Sequence, residues 1–418
     1  MATVLRGGHV WNGLDSDYHE VDVVIDDGAV SDLVPHGKHT PRGDDTVFEL
    51  DGAFLLPGLI DAHVHLVWGG TSDPVRVVER EGEQLTVIRA ALNAQSQLAA
   101  GVTTLRDLGS NWDISVTIAN AIDRGIMAGP TVIAAGRTVI MTGGHDAFWG
   151  IPSDGVDSVV RAVRNQVNVG ARVIKSAATG GAYGRAEGEQ IGQTELSYEE
   201  LRAIAEEAHK FGIRAAAHAL GAEGVRNAIL AGFDTLEHGV FLDEEMVAEM
   251  VERGTFLSPT VATYRALAES PDVPEYARKK AKEVVAVHHE SVAMAYAQGV
   301  RVIAGTDAGA PNLPGPAIVD ELLALESCGL TRLDALKAAT STAGTALGRP
   351  GLGTISKGTS ADLIVVGEDP LEDLGRLRAV EAVIQGEAPV AGRGQRLVPA
   401  GCRVSGHSHG PHDPVADR

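Results

Sequence analysis

The sequence predicts an α/β protein, a (β/α)8 TIM barrel with a small discontinuous β-sandwich built from both chain ends. Three observations lead there. Short apolar strands alternate with helical stretches rich in Ala, Glu and Arg through the centre of the chain. Polar residues of ligand type recur at the ends of those strands. Strand-like segments flanked by Gly and Pro precede and follow the alternating region. The 418 residues suffice for one large barrel with a smaller partner domain, or for three ordinary domains.

In chain order, segments 3–5, 9–11, 21–25, 29–34, 46–50 and 53–55 read as short strands, with Asp26-Asp27-Gly28 as a hairpin turn. Residues 58–357 are expected to form the catalytic barrel. Its strands are expected at 60–63, 103–107, 132–136, 173–176, 215–218, 235–238, 256–258 and 302–306. A helix over 197–211 opens on Ser197-Tyr198-Glu199-Glu200, a capping-box pattern, and closes at Gly212. Strands at 361–366 and 380–386 should return to the first ones, so that 1–57 and 358–404 make one composite domain. The remainder, 405–418, carries His407, His409 and His412 among Gly and Pro and reads as a flexible tail.

Composition excludes several classes. Hydrophobic residues are 44% and charged residues 22%, which is the balance of a globular protein with a sizeable core. Asp and Glu number 56 against 35 Lys and Arg, a formal charge of −21 that argues against nucleic acid or an anionic membrane as partner. Only Cys328 and Cys402 are present, too few for a disulfide framework or a thiolate zinc site. With no basic leader followed by an apolar run and no stretch of membrane-spanning length, a cytoplasmic location is expected.

The chemistry-bearing residues stand at expected strand ends, which is where a barrel builds its active site. His63 and His65 are two apart, so on one strand both imidazoles reach the same side. Lys175 lies in Val173-Ile174-Lys175-Ser176, His218 ends Ala215-Ala216-Ala217-His218, His238 ends Thr235-Leu236-Glu237-His238, and Asp307 closes Gly305-Thr306-Asp307. Singly, each has an ordinary explanation: a histidine bonded to backbone, a lysine reaching for the surface, an aspartate capping a helix. Together they would be costly to bury unless they shared a metal or a dense hydrogen-bond network.

These motifs resemble the amidohydrolase superfamily, and within it the branch of Xaa-Pro dipeptidases, carboxypeptidase-like enzymes and ochratoxin-degrading amidases. The matching pieces are Gly58-Leu59-Ile60-Asp61-Ala62-His63-Val64-His65, Thr103-Thr104-Leu105-Arg106-Asp107-Leu108-Gly109, Met141-Thr142-Gly143-Gly144-His145, Ile174-Lys175, Ala217-His218-Ala219, Leu236-Glu237-His238-Gly239 and Gly305-Thr306-Asp307-Ala308-Gly309. Gly358-Thr359-Ser360-Ala361-Asp362-Leu363-Ile364-Val365 matches the family's return strand. The resemblance implies two divalent metal ions, with zinc the first choice. It places His63, His65 and Asp307 on the more buried ion and His218 and His238 on the other, bridged by Lys175 as an N6-carboxylysine. A free ammonium cannot ligate a cation, whereas a carbamate is anionic and offers two oxygens.

The activity so implied is hydrolysis of a C–N amide bond, in an N-acyl amino acid or dipeptide-like small molecule with a hydrophobic or aromatic part. A metal-bridging hydroxide would attack, its pKa lowered toward about 7, and Asp307 would carry the proton to the leaving nitrogen. His145, after Gly143-Gly144, is a candidate oxyanion or substrate contact. Tyr264, Arg265 and Arg137 are further rim candidates, the arginines for a substrate carboxylate. Dipeptidase-like relatives commonly carry Tyr or His two residues after the strand-five histidine, where this chain has Leu220. With Asp146-Ala147-Phe148-Trp149, Leu220 suggests a partly apolar pocket. Two alternatives stand beside this reading: a mononuclear deaminase or cyclic amidine/imidazolone hydrolase of the same superfamily, and a non-enzymatic barrel scaffold. Lys175, and the lack of a Glu in Ala219-Leu220-Gly221-Ala222, weigh against the first; the full ligand set weighs against the second. A homo-oligomer is expected from the resemblance alone.

Overall fold

The computed structural model describes residues 2–184 and 188–391. Cys402, the last part of the expected composite domain and the tail with His407, His409 and His412 lie outside the described residues.

The architecture is TIM-barrel-like α/β. Parallel strands Leu59–Val64, Val102–Asp107 and Thr131–Ala134 form one sheet. Val139–Ile140, Val173–Ala177, Arg214–Ala219, Thr235–His238 and Phe256–Ser258 form a second, also parallel, with Ile151–Pro152 at its edge. Helices follow most strands and cover them, as parallel strands buried on both faces require. One such helix, Tyr198–Lys210, starts on a true capping box: Ser197 Oγ accepts from Glu200 N–H, and the Glu200 carboxylate accepts from Ser197 N–H at 2.8 Å.

The expected strand over 302–306 is not regular. It forms only an isolated bridge, Val302 with Leu257, yet its backbone bonds reach both sheets. Ile303 N–H donates to Leu257 O (2.8 Å), Ala62 N–H to Ala304 O (2.9 Å) and Asp307 N–H to His63 O (2.7 Å). The regular ladder breaks where Asp307 takes a left-handed backbone, φ 57°. Gly305 is needed beside it, because a Cβ there would lie 2.4 Å from Ser258 Oγ and 2.8 Å from His63 Cβ.

Both chain ends contribute to two further sheets. Ala29–Pro35, Val21–Asp26, Thr3–Arg6 and Thr46–Glu49 make one. Ala388–Ala391, Val380–Gln385, Asp362–Val366, Phe54–Pro57 and His9–Val10 make the other. The hairpin turns at Asp27 and Gly28, both with positive φ. Alternating residues of the two sheets, among them Leu5, Val23, Ile25, Leu55, Leu363 and Val365, share one buried cluster.

Candidate active site

Inward-facing Ile60, Ala62, Ile133, Val173, Ala216, Phe256 and Ile303 pack as a floor between the parallel strands. Lys175 and His218 stand two residues further along their strands than Val173 and Ala216, so they face the same interior one layer higher. They line a single cavity together with His63, His65, His238 and Asp307.

His63 and His65 reach that cavity through a break in register. Strand Leu59–Val64 slips against its neighbour between Asp61 and Val64, a bulge that re-aims the residues after Ala62. His238 gets there by another route. Its φ of 73° takes it out of extended backbone, so consecutive residues Glu237 and His238 both serve the centre.

Three of the histidines are oriented from behind. His65 Nδ1 lies 3.0 Å from Gly109 O, His63 Nδ1 2.9 Å from Glu237 Oε2, and His238 Nδ1 2.7 Å from Thr260 Oγ1. A carbonyl and a carboxylate only accept, so His63 and His65 each carry a proton on Nδ1 and turn Nε2 toward Asp307 Oδ1, 3.7 and 3.1 Å away. Lone pairs facing a carboxylate repel unless a cation or proton lies between them. Ligand atoms of His63, His65 and Asp307 all lie within 4.8 Å of one another. His218 Nε2 is buried with no hydrogen-bond partner among the described residues. An orphaned imidazole nitrogen and converging lone pairs are what a divalent ion would satisfy.

Electrostatics follow from burial. Desolvation, then the neighbouring cationic groups, holds His63, His218 and His238 well below the ordinary imidazole value, in the neutral form that ligates metals. Burial pushes the Lys175 ammonium down as well, against the pull of Glu237, Asp146 and Asp307. For His65, burial acts downward but Asp307 outweighs it and raises the ring. His145 behaves likewise: burial is outweighed by Asp146, Glu189 and Glu195, and the imidazole is raised to about 9. Its Nδ1 lies 2.6 Å from Glu189 Oε1, its ring stacks on His218 at 3.9 Å, and Gly181 lies so close that a Cβ there would sit 2.3 Å from His145 Cε1.

The rim residues expected from sequence separate into two groups. His145 and Tyr264 line the cavity, Tyr264 with its ring edge-on to His238 at 5.6 Å. Arg137, Arg265 and Leu220 do not. The Arg137 side chain donates to Trp149 O and Gly150 O, tethering the 146–150 loop from outside. Arg265 donates to Ser327 Oγ (2.7 Å), on the side of its helix away from the cavity. Leu220 is fully buried among Ala182, Val240, Tyr264 and Val284, behind the wall instead of on it. The apolar surface comes instead from Trp68, Tyr183, Leu267 and Pro311, with Trp149 packed on Trp68 at 4.4 Å.

Sequence reading gave no role to Glu237, Arg106, Thr260 or Glu189. Arg106 donates to Ala62 O, Thr235 Oγ1 and Glu237 Oε1, and so holds the carboxylate that orients His63. Glu237 and Arg106 sit inside two of the recognised motifs, and a charged residue inside an apolar strand was the available signal.

Catalytic-type residues gathered at the C-terminal ends of parallel strands, above a packed floor, are the plan of a TIM-barrel-like enzyme. The chain belongs to the amidohydrolase family, whose model matches residues 54–399. It is 31% identical over 361 residues to the ochratoxinase of Aspergillus niger, covering 79% of this chain and 73% of that protein. Among solved structures, a Xaa-Pro dipeptidase with bound methionine superposes with TM-score 0.85 at 29% identity, over 94% of this chain and all of that one. The A. niger ochratoxinase structure gives 0.82 at 28%, over 94% and 96%. The protein is thus a hydrolase acting on C–N bonds, in a family that generally uses divalent metal.

Proposed function

We propose that this chain cleaves a linear amide, in an N-acyl amino acid or dipeptide-like substrate with a hydrophobic or aromatic part, at a centre of two divalent ions, zinc by preference. The observation that carries the proposal is the unsatisfied His218 Nε2 beside the converging His63, His65 and Asp307 atoms. His63, His65 and Asp307 would hold one ion, His218 and His238 the other, with Lys175 as a bridging carbamate. Burial favours the free amine of Lys175, the form that adds carbon dioxide. Bound there, the ions supply Lewis-acid activation of water and polarisation of the scissile carbonyl.

The chain's own side chains do the rest. Asp307 takes the proton from the attacking water at a carboxylate oxygen and returns it to the leaving nitrogen. His145, kept protonated by Glu189 and Asp146, donates to the oxygen that becomes negative. Tyr264 keeps its phenol proton because it is buried, and is a second donor. Trp68, Tyr183 and Leu267 hold the apolar part of the substrate and exclude water. The proposal includes the segment 302–306 as the strand that closes the barrel, the terminal sheets as a separate sandwich bounded near 57 and 358, and a cytoplasmic homo-oligomer.

The test is a screen of zinc-loaded protein against N-acyl amino acids, dipeptides ending in Pro, Arg or Phe, and carbamates. Amide cleavage lost on chelation and restored by zinc is the expected result. Cleavage that survives complete removal of metal, or an absence of cleavage across the panel, would overturn it.

A further inference from the structure

Helix Val261–Glu269 touches the candidate centre at three points, yet its own start has no local cap. Some helices are capped by the residue that precedes them: Thr331 accepts from Asp334 N–H at the start of Arg332–Ala338, as Asp243 does for Met246 at Glu244–Arg253. Thr260 stands at the same position but in left-handed backbone, φ 54°, with no side-chain cap bond. Its hydroxyl is taken by His238 Nδ1 at 2.7 Å. The amides it leaves are met from another helix, Ile318–Ser327: Glu321 accepts from Val261 N–H (3.0 Å) and Ala262 N–H (2.8 Å). Glu321 is completely buried. Burial pushes the Glu321 carboxyl up to about 8, and the two amide bonds, at the positive end of a helix, offset only part of that cost.

One turn along the same helix, Thr263 Oγ1 donates to Thr306 O at 2.7 Å, next to Asp307, and Tyr264 lines the cavity. We propose that Glu321 is a positioning residue for the centre: by capping helix Val261–Glu269 from outside, it frees the Thr260 hydroxyl to set the direction of the His238 ring. It acts through Thr260 and touches neither substrate nor ligand atoms. The inference rests on the proposed metal-site reading only for its consequence, since the Glu321–amide–Thr260–His238 chain is present in the fold itself.

The experiment uses the whole protein labelled with 15N-histidine, as wild type, Glu321→Gln, Thr260→Val and the double variant, with the His238 signal assigned by its loss in His238→Asn. A glutamine offers one acceptor oxygen and sets an N–H against the second amide, so Thr260 is drawn back toward its own helix. Glu321→Gln should move the His238 nitrogen signals as Thr260→Val does, with no further change in the double variant. Cobalt titration should show affinity at the site falling about 10- to 100-fold in either single variant, without additivity. An unmoved His238 signal in folded Glu321→Gln, or shifts that add in the double variant, would overturn the inference. Should Glu321→Gln not fold, Glu321→Asp, which keeps the carboxyl but shortens the reach, carries the same two outcomes. Wild-type protein that binds no metal refutes the functional reading, while the histidine spectra still decide this one.

Discussion

Two rims of the same parallel sheet use the same residue types to opposite ends. At the N-terminal rim, His209 Nε2 lies 2.8 Å from Asp234 Oδ2, the same carboxylate accepts from Ala215 N–H at 2.8 Å, and Arg214 completes the cluster. Those polar groups answer one another. At the C-terminal rim, His218 Nε2 has no partner among the described residues, imidazole lone pairs face Asp307, and His238 and Asp307 hold left-handed backbone. Strained conformations and unmatched polar atoms cost stability, and a fold retains them where a ligand or a reaction completes them. The first rim stabilises the strands; the second uses part of that stability.

Substitutions on each rim test this contrast. The largest effect is expected for Asp307→Asn, which on the proposed function removes both a ligand and the proton carrier: kcat for amide cleavage should fall about 1,000-fold or more while the melting temperature stays near wild type. On the same proposal, Lys175→Ala should lower metal content from two ions to one or none per chain, read by elemental analysis of purified protein. Glu237→Gln blurs the contrast, because Glu237 both orients His63 and pairs with buried Arg106. Metal affinity should drop about 10- to 100-fold, and denaturant unfolding should reveal a loss of about 3 kcal/mol. Asp234→Ala on the opposite rim should cost about 1–3 kcal/mol of stability and leave kcat/KM unchanged.

The smallest effect is a pH dependence at the N-terminal rim. The Asp234 hydrogen bond raises His209 above its ordinary value, against partial burial, and that contribution is complete below the unfolded imidazole pKa and lost as pH rises through the higher folded one. Burial acts upward on Asp234, but His209, the Ala215 amide and Arg214 hold it low, so its contribution is lost only as acid takes the pH below the usual carboxylate range. Stability should therefore fall slightly from about pH 6 to 8, by less than about 1 kcal/mol because His209 is partly exposed. His209→Gln should flatten that slope; an unchanged slope would remove His209 as its source.

Much of the fold was legible because its signals are local. Apolar runs bounded by Gly and polar residues placed the parallel strands, and Ser197 with Glu200 marked a helix start that the structure reproduces at the same residues. The strands expected to end near Lys175 and His218 do so, and the structure turns both side chains inward. Position after a strand was a weaker guide at the rim. Arg137, Arg265 and Leu220 are placed next to the right strands, but their side chains bond to Trp149 O, to Ser327 and into the core.

Periodicity and turn chemistry are properties of a few neighbouring residues, so the residue types at the strand ends could be read from local pattern. Which way those residues face and what holds them came from packing across the whole fold. The bulge after Asp61, the left-handed turns at His238 and Asp307, and the Arg106–Glu237–His63 chain depend on contacts between strands far apart in sequence. Backbone that departs from the regular period is held by such long-range bonds and close approaches, and a local pattern carries no record of them.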